Sequence, residues 1–172
     1  MSWDATVRLG EISRSPVTVR LEADAARRTE IARALGLPGI PALTADLTVR
    51  AWLDGAELIG RFSAQVEQVC GISLDHFVQD VTGEIDIRVV PHGSPNAPQV
   101  SPDGEIELDP EEHDPPDVLE TDVIDLGAYL IEHLALSVDP FPRKPGAVFS
   151  FGAGTEELSP FAALKALRDK PE

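Results

Sequence analysis

Apolar and polar positions alternate most clearly between Leu43 and Leu53. Leu43, Ala45, Leu47, Val49, Ala51 and Leu53 fall on one side, and Thr44, Asp46, Thr48, Arg50 and Trp52 on the other. A period of two marks a strand with one buried face. Asp54-Gly55 then predicts a type I′ hairpin turn. The returning strand places Leu58, Phe62, Ala64 and Val66 on one face and leads to Cys70. After a tight connection, Phe77, Val81, Ile85, Ile87 and Val89 alternate again. Upstream, Val17, Val19 and Leu21 alternate with Thr18 and Arg20 in a shorter strand. The pattern predicts an antiparallel meander with one apolar face, and such a face needs a cover.

Helical segments supply the cover. Asp24 is a cap for a helix over 25–35, which Gly36 and Pro38 end. Ile31 and Leu35, with Arg28 and Ala32 alongside, give it a narrow stripe. Residues 36–41, with two prolines and two glycines, predict a turn. A second helix opens at Asp122 or Asp125 and runs to Ser137. Leu126, Leu130, Leu134 and Ser137 define one face with Tyr129 and His133, and Ile131 and Leu136 broaden it. Asp139-Pro140 stops this helix. Pro140, Pro142 and Pro145 are expected to hold the next residues extended, presenting Arg143 and Lys144 at a stiff exposed tip anchored by Phe141 and Phe149. Ser159-Pro160 opens a last short helix with Phe161, Leu164 and Leu167 at three-residue spacing and Lys165, Arg168 and Lys170 near its end. The expected fold is α+β: an antiparallel β-sheet meander covered by helices, in a single domain spanning 1–172, with a long acidic loop.

That loop is residues 91–122. Its prolines and glycines break regular structure, and no Lys or Arg stands between Arg88 and Arg143. Glu105 to Leu108 is a candidate edge strand, and the remainder reads as mobile, solvated chain. Over the whole chain 14 basic residues face 30 acidic ones, a formal net charge of −16. Nucleic-acid binding draws its affinity from cations that displace counterions from phosphate, so direct RNA binding is disfavoured and a basic protein partner favoured. No apolar run is long enough to span a membrane, and the N-terminus lacks the pattern of a secretory signal, so a cytoplasmic setting is expected.

Catalytic chemistry is hard to place. His76, His92, His113 and His133 are scattered, with no ligand at helical spacing. Phe151 to Thr155 is glycine-rich but lacks the Lys-Ser/Thr of a phosphate loop. The one cysteine, Cys70, excludes an internal disulfide and reads as a small buried hydrophobe. Aromatic residues make up 5% and are not interleaved with basic ones, so no base-stacking platform is evident.

Four features, in order, resemble the YceD family, the large ribosomal RNA subunit accumulation proteins. They are the strand-to-turn run Val69 to Leu74 with its cysteine, the acidic stretch after it, Ile124-Asp125-Leu126-Gly127 opening the apolar helix, and Ser159 to Leu164 near the C-terminus. Leu21 to Asp24 and Asp139 to Ala147 are similar to the alphaproteobacterial branch, and the likeness extends from Val17 onward. Many members carry a C-x-x-C pair where this chain has Cys70 and Ser73, so a metal or redox role for such a pair is not open to it. The resemblance implies support of 23S rRNA accumulation and large-subunit assembly, and it brings no catalytic residue. The resulting expectation is a non-enzymatic factor without a cofactor or bound metal, acting through a ribosomal or assembly protein and touching rRNA indirectly. Pro142, Arg143, Lys144, Pro145 and Asp125 are the candidate partner-binding residues. Two alternatives stand beside it: direct rRNA binding through the basic tip and the C-terminal cluster, and a metal-dependent enzyme built on the acidic loop.

Overall fold

The computed structural model describes residues 5–98 and 114–149. The chain enters through a short strand, β1 (Thr6–Arg8), and a single helical turn, α1 (Leu9–Ile12). It continues through β2 (Val17–Glu22), α2 (Ala25–Leu35), β3 (Gly39–Trp52), β4 (Gly55–Val69) and β5 (His76–Pro91). Beyond the acidic stretch lie β6 (Asp117–Leu119), β7 (Val123–Asp125) and α3 (Leu126–Ser137). One sheet holds β2-β3-β4-β5-β6 in that order, and β1 pairs with β7 in a second, two-stranded one. This is an α+β architecture.

Antiparallel pairing runs from β2 through β5. Leu47 sits opposite Val19 on one side and Gly60 on the other, and Gly60 in turn faces Ile85. The helices lie where their caps and apolar stripes dictate. Asp24 accepts the Arg27 N–H at 2.8 Å and starts α2, while Asp125 accepts the Ala128 N–H at 3.0 Å and starts α3. Of the two capping candidates for α3, Asp125 is the one used; Asp122 instead accepts the Leu9 N–H through its carbonyl. The core joins one face of the sheet (Leu43, Leu47, Leu58, Phe62, Val66, Ile85) to Ile31 of α2 and to Leu126, Leu130 and Leu134 of α3. β1, α1 and β7 add Val7, Ile12 and Ile124 to it.

Several expectations need correction. Residues 36–41 are not wholly a turn, because β3 already begins at Gly39, with a register shift between Gly39 and Ala42. Trp52 pairs with Gly55, so the hairpin loop is Leu53-Asp54, with Leu53 at φ 49°. Gly55 is needed for a different reason: a Cβ there would lie 2.0 Å from the Val89 carbonyl oxygen of the strand beside it. Leu136 does not broaden the buried face of α3 but stands 78% exposed. The sheet is not wholly antiparallel, since β6 runs parallel to β5 across Val89, Val90 and Pro91. The stretch 91–122 is therefore not all loop. Its candidate strand Glu105 to Leu108 lies outside the described residues, as does the helix expected after Ser159.

Candidate functional site

The segment after α3 does not project freely. It is laid against the β4–β5 connection. Gln68, buried at the end of β4, donates from its amide nitrogen to the Asp139 carbonyl at 2.9 Å, and the Gly71 N–H donates to the Pro142 carbonyl at 2.9 Å. Lys144 reaches back to Asp75 at 3.2 Å, and the ammonium, with the Ser73 hydroxyl, holds the Asp75 carboxyl below its usual range. Lys144-Pro145-Gly146-Ala147 then closes a turn, with the Ala147 N–H on the Lys144 carbonyl at 3.0 Å and Gly146 at φ 79°. Proline second and a left-handed glycine third are what a type II turn requires. Pro145 therefore turns the chain rather than extending it. Arg143 and Lys144 are exposed as expected, but Phe141 is 80% exposed and Phe149 68%, so neither ring is a buried anchor.

Cys70 lies at the centre of this junction. Its sulfur is closed to solvent, yet it is not simply a small hydrophobe. The backbone N–H groups of Ile72 and Ser73 approach it at 3.4 Å each. The Ser73 hydroxyl is the largest influence on the thiol, followed by the Ser73 and Lys144 backbone N–H groups, and together they pull it down to about 6 against the opposing effect of burial. Leu74 closes the same turn at φ 60°, a conformation side chains rarely take, and it projects 75% exposed. Among the described residues no His, Asp or Glu side chain is hydrogen-bonded to the thiol, and the nearby His76 pairs with Glu67 at 3.0 Å. Among the described residues no group of three His, Cys, Asp or Glu side chains is placed to hold a metal ion.

The candidate residues thus fall into two places. Pro142 to Pro145 sit beyond the C-terminal end of α3, on the Cys70 turn. Asp125 caps the N-terminal end, about 18 Å away along a helix of this length. Along α3, from Tyr129 to Leu136, a cavity of 670 Å³ opens between the helix and the edge of β5, lined by Asp86, Arg88, Asp117, Tyr129, Glu132 and Leu136 among others. The Tyr129 hydroxyl donates to Asp117 at 3.0 Å, and its burial, with the Asp117 charge, pushes that phenol up. Arg88 holds its guanidinium 5.2 Å from the Trp52 ring centre and forms a loose ion pair at 3.6 Å with Glu57, which also pairs with Arg50, while its buried Nε has no hydrogen-bond partner among the described residues. Sequence reasoning missed Gln68, Gly71 and Asp75 as the residues that seat the tip. Their partners lie about seventy positions away, and nothing local marks them.

No helix among the described residues is long and apolar enough to cross a membrane. No curated protein and no solved structure matches the chain. One family model does, that of the large ribosomal RNA subunit accumulation protein YceD, over residues 58–168. The match takes in the Cys70 turn, the acidic stretch, α3 and the tip, and leaves β2 and α2 outside it. Covering well over half of the sequence, it places this chain in the YceD family, whose role is in ribosome biogenesis and large-subunit rRNA accumulation.

Proposed function

We propose that this chain is a non-enzymatic assembly factor of the cytoplasm that supports 23S rRNA accumulation by docking a basic protein of the large subunit or its assembly machinery. Family membership supports the ribosomal setting. The observation that carries the protein-partner reading is electrostatic. On a chain of net charge −16, the arginines on the sheet face turned away from the core are, among the described residues, each set against a carboxylate. Arg20 faces Asp46, Arg61 faces Glu84, and Arg50 and Arg88 share Glu57. An RNA phosphate would have to displace those partners and approach against the field of the whole molecule. The tip at Pro142, Arg143, Lys144 and Pro145 is the proposed contact on one end of α3, with Asp125 marking the other.

Capture of partners from the native cytoplasm by the tagged full-length chain, with and without RNase, tests this. The expected outcome is a basic protein retained after RNase, and a purified chain that does not bind a 23S fragment at physiological salt. Tight binding of that fragment by the chain alone, with a salt slope equivalent to several phosphates, would replace this reading with direct rRNA binding.

A further inference from the structure

β5 pairs with β4 from Val89, opposite Ala56, to His76, opposite Val69. On its other side β6 takes only Val89, Val90 and Pro91. Among the described residues, His76 to Arg88 therefore have no second strand. A bare edge of this length presents alternate N–H and C=O groups as a template for another chain. The upper end of the edge opens into the 670 Å³ cavity under α3, where Tyr129, Glu132, His133 and Leu136 follow one another at helical spacing along the cavity wall. We propose that this edge and groove take an extended, Lys- and Arg-bearing segment of a protein partner as an added strand.

Charge decides the occupant. Among the described residues, Asp86, Asp114, Asp117 and Glu132 line the groove, and the arginine among them, Arg88, already faces Glu57. His133 is tied by Nδ1 to the Tyr129 carbonyl at 3.0 Å. The chain's own stretch 99–113 carries Asp103, Glu105, Glu107, Asp109, Glu111 and Glu112 with no Lys or Arg, so it meets this groove with like charge. A basic strand meets it with opposite charge, gains the main-chain hydrogen bonds of the edge, and lays alternate side chains toward α3, where Leu136 offers exposed apolar surface.

The proposal rests on the protein-partner reading and is tested separately from it. A peptide of about ten residues alternating Lys and Val is titrated into the full-length chain, beside a Glu/Val version and a Lys/Val version N-methylated at every second amide. The Lys/Val peptide is expected to bind, and to lose about tenfold in affinity on N-methylation or against the Asp86→Lys/Glu132→Lys chain. A control with the same change of net charge, Glu22→Lys/Glu30→Lys, keeps binding within about twofold. Hydrogen exchange should show alternate amides between His76 and Arg88 gaining protection only when the peptide is present. No binding, equal binding of the N-methylated peptide, equal weakening by the control, or an edge already protected in the free chain would each overturn the proposal. If the groove variant captures the native basic partner as well as the unaltered chain does, this site is wrong while the protein-partner reading stands.

Discussion

At the scale of single residues, Cys70 shows how a buried group acquires a polar role. A thiol sealed from water would be expected to stay protonated, yet the Ser73 hydroxyl and the surrounding N–H groups favour the thiolate and outweigh the burial. The folded value, about 6, lies below the ordinary 9.0, so the sign follows from linkage. The thiolate's contribution to stability is fully present above the unfolded value and is lost as pH falls through the folded one. The stability gap between the native chain and Cys70→Ala should therefore shrink as pH is lowered from 9.0 to about 6, read by denaturant unfolding at each pH. A gap that stays constant over that window would show the sulfur to be inert packing. Gly55 teaches a related lesson. Asp54-Gly55 looks like turn chemistry, but the glycine is there because the Val89 carbonyl leaves no room for a Cβ.

At the scale of elements, α3 separates burial from hydrophobicity. Leu126, Leu130 and Leu134 repeat every four residues and are wholly enclosed, whereas Leu136, two positions beyond Leu134, points away from the core. Leu130→Ala should cost about 2–5 kcal/mol in urea unfolding, because it removes buried apolar volume and leaves a cavity. Leu136→Ala should change stability by about 0.5 kcal/mol or less. Equal costs at the two sites would mean that Leu136 is covered in solution. The three-residue strand β6 is the opposite case. Its Asp-Val-Leu carries no periodicity, and it is a strand only because the end of β5 offers it an edge.

At the scale of the whole molecule, the excess of acidic residues sets the energetics as well as the choice of partner. Like charges at −16 repel one another more strongly in the compact state than in the expanded chain. Raising NaCl to about 1 M, where the Debye length falls to about 3 Å, should raise the thermal midpoint by a few degrees. A midpoint that falls on adding salt would show that the ion pairs on the sheet face contribute more than the repulsion they sit in. The same charge distribution links the fold to its proposed work, since a groove lined by Asp86, Asp114, Asp117 and Glu132 suits a basic protein segment better than it suits phosphate.

Much of this was legible in the sequence, because periodicity reports which side of a local backbone is buried. The alternation in Leu43 to Val89 determined the long strands and their apolar face, Asp24 and Gly36 bounded α2, and the order of motifs pointed to the family that the comparison then showed. Pattern could not say which distant segments meet. That Lys144 would land on Asp75, 69 residues earlier, that Thr6–Arg8 would pair with Val123–Asp125, and that β6 would join β5 in parallel at Val89 to Pro91 were decided only in three dimensions. Such contacts depend on long-range hydrogen-bond pairing and on the space left once the core has packed, and neither leaves a local trace in the chain.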